Sequence, residues 1–194
     1  METIEIRLES ISAEIFAPFG EIIEKKSSEP IFTGKNMESW QMQFSIDGTT
    51  ELMINRFSYQ PLEFSMMERH FHVTQSFLPF GKIPMAMIVS APTAFDDQSS
   101  IPKPEEIRAF YLDGTQGIML WKGTWHALHR FPLHPPHVDL GLITEMETQH
   151  ELQSALNKGT KLKRTQAIDY EQLSNVNFKV VDPLDLIGEN KDVE

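Results

Sequence analysis

The sequence contains no cysteine. Disulfides, thiolate metal sites and cysteine nucleophiles are thereby excluded, whatever the compartment. Positive charge is scarce too: 17 lysines and arginines stand against 28 aspartates and glutamates, a formal charge of −11. Nucleic-acid binding needs a basic footprint, and neither the total nor any cluster supplies one. The densest basic stretch, "NKGTKLKR" (157–164), reads as a solvated helix end and loop. No window approaches the roughly 18 uninterrupted apolar residues of a membrane-spanning helix. The opening "METIEIRLES" lacks the basic start and apolar run of a signal peptide. The expectation is a soluble cytoplasmic protein with no nucleic-acid or membrane partner.

Helix signals are few. Thr148 followed by Glu151 makes a capping-box pattern, and Gly159 is placed to stop a helix over 149–158; a shorter turn fits 12–16. Period-two alternation is abundant instead. It predicts strands over 3–9 (Ile4, Ile6 and Leu8 on one face), 40–46 (Trp40, Met42, Phe44 and Ile46), 51–58, 69–77, 84–90, 107–112, 117–121, 138–144 and 175–181. Asp47-Gly48 and Asp113-Gly114 are hairpin signals, because both residue types tolerate positive φ. Short strands with turns every ~8–12 residues indicate an antiparallel barrel or sandwich. One domain is expected over 1–187, with the acidic stretch 188–194 as a mobile tail.

Two segments concentrate the chemistry. In "MERHFHVTQSFLPFGK" (67–82), an extended strand puts Glu68, His70, His72 and Thr74 on one face. Neutral imidazoles so spaced can grip one cation. The same pattern also describes a strand whose Phe71 and Val73 face the core while the histidines face water. Gln75 stands where a metal site favours a carboxylate, and its neutral oxygen is a poorer ligand for a divalent cation. The second segment, "GIMLWKGTWHALHRF" (117–131), carries Gly123 and then His126.

The order His70, His72, Gln75 and Gly81, then Gly123 and His126 about 50 residues on, resembles the two motifs of the cupin barrels. A longer ordered set narrows the resemblance: "FAPFGEII" (16–23), "INRF" (54–57), "ERH" with "TQSFLP" (68–79), "RAF" (108–110), "GTQGI" (114–118) and "WH" (125–126). Together they are similar to the ureidoglycolate lyase family over about two thirds of the chain. The resemblance implies a mainly β, cupin-like antiparallel barrel of the jelly-roll type with a few short helices. It also implies a homodimer, cleavage of ureidoglycolate to glyoxylate and urea in allantoin breakdown, and nickel as a candidate, weakly held cofactor. Three features depart from the family: Gln75 lacks the carboxylate and falls early after His72, His72 is not a family position, and the chain beyond about 160 is longer than in bacterial members. Two alternatives therefore stand beside the lyase, a cupin acting on another small hydroxy acid and a non-catalytic small-acid sensor.

On the lyase reading, the hydroxyl of the substrate must lose a proton and the departing urea nitrogen must gain one. His70 or His126 serves as base, and Glu68 is a candidate general acid. A guanidinium suits the substrate carboxylate, with Arg56, Arg69 and Arg108 as candidates; Arg108 equally fits a surface pair with Glu105 or Glu106. Asn55, Arg56, Gln75 and Trp125 are candidate substrate contacts, although Trp125 also fits barrel packing. If the two histidine strands face each other across a barrel, His70, His126 and Gln75 converge as metal ligands. His72 then sits at the rim or supplies a further ligand. The strand over 3–9 is the candidate edge for exchange across a dimer.

Overall fold

The computed structural model describes residues 1–182, 186 and 187, so the acidic stretch 188–194 lies outside the described residues. The chain opens with β1 (Glu2–Ser10), α1 (Ala13–Phe16), β2 (Gly20–Ile23), β3 (Phe32–Gly34) and β4 (Met37–Ser39). It continues through β5 (Thr50–Ser58), β6 (Glu63–Phe64), β7 (Met66–His70), β8 (Gln75–Phe80) and β9 (Met85–Ser90). Next come β10 (Arg108–Leu112), β11 (Gly117–Leu120), β12 (Trp125–Ala127), β13 (Phe131–Pro132) and β14 (His137–Glu145). The last elements are α2 (Met146–Lys158), β15 (Thr165–Asp169), α3 (Tyr170–Ser174) and β16 (Val176–Val181).

A large sheet runs in the order β15-β7-β12-β9-β10-β1-β16-β6, with β13 also on β9, and a five-stranded sheet runs β2-β11-β8-β14-β5. The two curl toward each other as a cupin-like half-barrel. Alternation sorts the side chains of the large sheet between two cores. Met85, Met87 and Val89 of β9 point toward the smaller sheet and meet Phe77, Phe110 and Leu140. Ala86 and Ile88 point the other way, into a back core with Leu8, Trp125 and Phe178. A strand buried on both faces has no polar positions left, which is why "MAMIVS" reads as a continuous apolar run.

Several sequence expectations need correction. The strand over 69–77 is two strands: β7 ends at His70 in the large sheet, β8 begins at Gln75 in the smaller one, and Phe71–Thr74 cross between them. The Gly123 N–H bonds the His70 carbonyl at 2.7 Å and the Asp47 N–H bonds the His72 carbonyl at 2.9 Å, fixing that crossing. Residues 40–45 form no strand, so Asp47-Gly48 closes no hairpin. Asp113-Gly114 likewise joins strands of different sheets; Gly114 takes φ 83° and the Thr115 N–H bonds Asp113 Oδ1 at 2.8 Å. β1 is no edge, because it lies parallel to both β10 and β16.

Helix α2 starts earlier than the capping box suggests, with Glu145 as its N-cap residue. Thr148 instead donates its hydroxyl proton to Glu145 at 2.5 Å. Glu151 accepts the N–H groups of Lys163, Arg164 and Thr165 at 2.8, 2.8 and 3.1 Å. Gly159 stops the helix as expected, at φ 65°.

The C-terminal strands belong to the core. Phe178 is fully buried, stacked on Phe64 and edge-on to Tyr170, both at 5.0 Å between centroids. Phe178→Ala should cost about 3–5 kcal/mol in denaturant unfolding, the range for emptying a large aromatic site. Leu156→Ala, on the exposed face of α2, should stay within about 0.5 kcal/mol.

Candidate active site

The polar cluster is built from strand parity. In the ladder of β7 and β12, His126 lies opposite Glu68. Glu68, His70 and His126 therefore point between the sheets, while Met67, Arg69, Trp125 and Ala127 point to the back. The two histidine strands are neighbours in one sheet, not opposite walls of a barrel, and their rings lie 5.2 Å apart. The smaller sheet supplies Asn55 and Phe57 from β5, Gln75 and Phe77 from β8, and Leu142 from β14; Gln149 and Leu152 of α2 form the roof. The pocket is partly open and measures about 80 Å³, the scale of a small metabolite.

Charge in this cavity is finely opposed. Burial works to raise the Glu68 pKa, but the adjacent His70 and the Arg130 charge prevail and bring it down to about 2. Glu68 therefore favours its ionised form at neutral pH, in which it accepts rather than donates a proton. Its Oε1 lies 3.7 Å from His70 Nε2, an electrostatic contact longer than a hydrogen bond. Burial, with the Arg130 charge, pushes His126 well below the ordinary imidazole value, so that ring is neutral. The Ala127 carbonyl lies 3.0 Å from His126 Nδ1 and accepts its proton. Arg130 Nη2 stands 3.3 Å from the same nitrogen, and a guanidinium only donates. Both contacts cannot be hydrogen bonds to one tautomer. The shorter, to the carbonyl, is the bond, and Arg130 rests against the ring as a cation. His126 Nε2 is then a bare lone pair, buried without a partner.

Arg130 is the residue that the sequence reading missed. It is buried, bonds the Ala127 carbonyl at 2.5 Å, and lies 4.4 Å from the Phe77 ring centroid. Its Nε has no partner, and burial pulls its pKa down to about 10 against the opposing charge of Glu68. No carboxylate forms a salt bridge with it among the described residues. The histidine-rich context "HALHRF" drew attention to the imidazoles, and no strand periodicity marks residue 130.

The other expected residues divide clearly. Gln75 lines the cavity, with Nε2 toward Thr144 at 3.3 Å and Oε1 buried without a partner. Asn55 lines it too. Arg56, one residue along, faces outward and is held by Asp139 through two bonds of 2.7 Å. Arg108 pairs with Glu9, not with Glu105 or Glu106, and lies outside the cavity. Arg69 is buried at the back, bonded to Gln166, Thr93 and Ala94 and lying over Trp125. Trp125 packs in that back core and donates Nε1–H to Thr93 at 3.1 Å. His72 is half-buried and bonds Asp47 at 3.1 Å, because the chain has already left the strand that aimed His70 inward.

Glu68, His70 and His126 offer ligand atoms that all lie within 4.8 Å of one another. One carboxylate and two imidazoles make a donor set for a divalent transition metal, and the unpartnered Nε2 of His126 is a free donor, so the residues fit such an ion. Glu68, not Gln75, supplies the carboxylate. The low Glu68 pKa has a further consequence: the stabilisation by its ionised form is present above the ordinary value of 4.5 and is lost as pH falls toward about 2. Between pH 5 and pH 3 the protein should lose about 2 kcal/mol more than its Glu68→Gln variant, measured by denaturant unfolding at each pH.

Comparison with known proteins agrees with this geometry. Residues 3–163 match the family model described as ureidoglycolate lyase. The chain is similar to a ureidoglycolate lyase of Burkholderia cepacia, 32% identical over 130 residues, covering 62% of this chain and 70% of the relative. Ureidoglycolate lyase 1 of Rhizobium meliloti is 33% identical over 129 residues, 62% of this chain and 72% of its own. The enzyme of that name from Azotobacter vinelandii is 28% identical over 129 residues, 62% and 74% respectively. A match over most of the chain, together with a Glu-His-His cluster on a cupin-like half-barrel, means that the chain belongs to the ureidoglycolate lyase family.

Proposed function

We propose that this chain cleaves ureidoglycolate to glyoxylate and urea. One observation carries the reading: in a member of that family, Glu68, His70 and His126 converge on a small cavity beside a buried guanidinium that has no salt-bridge partner among the described residues. The substrate is a carboxylate whose α-carbon bears a hydroxyl and the ureido nitrogen. Arg130 supplies the charge for the carboxylate, the role the sequence had assigned among Arg56, Arg69 and Arg108. Gln75 Oε1, a buried acceptor without a donor, suits a ureido N–H.

Cleavage transfers one proton from the hydroxyl oxygen to the nitrogen as the C=O bond forms and the C–N bond breaks. Both atoms sit on one carbon, so a single imidazole can take the proton and return it. His126 is suited to this transfer, since Ala127 holds its Nδ1–H and its Nε2 lone pair is free. Burial and the Arg130 charge disfavour the imidazolium, which urges its proton on to the departing nitrogen. Glu68, 4.0 Å from the ring, keeps that intermediate accessible. A divalent cation held by Glu68, His70 and His126, nickel on this reading, would polarise the substrate carboxylate and acidify the hydroxyl in place of His126.

The same reading places the enzyme in the cytosol, in allantoin breakdown, as a homodimer. Support for the dimer comes from the free edge strand β5, where Leu52 and Ile54 are 70% and 63% exposed on the outer face of the smaller sheet, near an exposed Phe80.

Purified protein given racemic ureidoglycolate should release glyoxylate and urea above the spontaneous rate, with no ammonia; ammonia as the first nitrogen product would sink the lyase reading. His70→Ala and His126→Ala should each lower kcat/KM by about 100-fold or more, His72→Ala clearly less, and Arg130→Met should act mainly through KM. Light scattering at micromolar concentration should give a dimer, and Leu52→Glu should shift it toward monomer.

A further inference from the structure

We propose that Thr165 is a positioning residue that sets which nitrogen of His70 carries the proton, placing the two site histidines in opposite tautomers. The inference rests on the lyase reading for its kinetic consequence, but its structural content stands alone. Thr165 follows the residues that match the family, in strand β15, which pairs with β7 so that Thr165 lies opposite His70. Its Oγ1 sits 3.0 Å from His70 Nδ1, and both residues are buried. Among the described residues that hydroxyl has no other hydrogen-bond partner.

A hydroxyl has one proton, and a buried one must aim it at an acceptor. The acceptor here is Nδ1. Nδ1 is then bare, and Nε2 carries the ring proton, directed at the Glu68 carboxylate 3.7 Å away. The reverse tautomer would strand the Thr165 proton and turn the Nε2 lone pair toward an anion. His126 is oriented the opposite way, because its partner is the Ala127 carbonyl, which can only accept.

The two rings therefore divide the work. His126 offers a lone pair through Nε2, and His70 offers an N–H through Nε2. His70 acts on the substrate as a hydrogen-bond donor to the oxygen that becomes the aldehyde, not as a second base. To ligate a cation through Nε2, His70 must first surrender the tautomer that Thr165 favours, so Thr165 opposes metal loading.

The test compares wild type, Thr165→Ser and Thr165→Val by nitrogen NMR of histidine-labelled, metal-free protein at alkaline pH, alongside kinetics. Wild type and Thr165→Ser should show His70 protonated on Nε2, and Thr165→Val should lose that preference. Thr165→Val should lower kcat about 10-fold or more with KM little changed, and Thr165→Ser should restore it. Nickel binding, followed by calorimetry, should be tighter in Thr165→Val. A wild-type His70 protonated on Nδ1, or a Thr165→Val ring indistinguishable from wild type, overturns the proposal, as does failure of serine to restore kcat. Should the wild type prove inactive on ureidoglycolate, the lyase reading fails while the NMR comparison still decides the role of Thr165. If Thr165→Val does not fold, the tautomer in wild type and Thr165→Ser decides it.

Discussion

Placing an ionised carboxylate between two packed sheets is costly unless opposite charge and hydrogen bonds accompany it. Glu68 imposes that requirement on everything around it. Its neighbours on the ladder must be polar and inward, so β7 and β12 stand side by side with His70 and His126 on one face. A cation must be buried with it, and Arg130 is held there by the Ala127 carbonyl and the Phe77 ring. The same cation suppresses protonation of His126. Removing any one of the four leaves the others with a charge or a proton that has nowhere to go.

The back of the large sheet answers the front. Each inward polar residue of β7 and β12 alternates with one that must pack behind the sheet, and the back core receives Met67, Trp125 and Ala127. Arg69 is the exception. A second arginine is buried there, its guanidinium shared among Gln166, Thr93 and Ala94 and laid over Trp125. Arg69 therefore ties β15 and the loop after β9 to the strand that carries the site. The Gln166 end of this tie and the Thr165 contact both lie in β15, outside the residues that match the family.

How much of this was legible in the sequence follows from what alternation can and cannot record. His70 and His126 were identified because strand parity and glycine spacing are local properties. The mainly β architecture was legible for the same reason, and its cupin-like character through the family resemblance. The break after His70 was not, because residues 71–74 continue the alternation while the chain changes sheets. His72 and the hairpin expected at Asp113-Gly114 fell to that ambiguity: a turn signal says that the chain bends, not which sheet receives it. Arg56 and Arg108 sit in well-patterned strands and found surface or rim carboxylates, Asp139 and Glu9. Arg130 sits where no pattern exists, and only the folded packing marks it as a buried cation with no salt-bridge partner among the described residues. The start of α2 was misplaced because Glu151, read as a helix cap, is spent on the amides of 163–165.

That last set of bonds links two parts of the molecule mechanically. Helix α2 roofs the cavity through Gln149 and Leu152, and through Glu151 it also holds the backbone of Thr165. A change at Glu151 would therefore reach His70 by way of the backbone of Thr165, without altering any residue that lines the cavity.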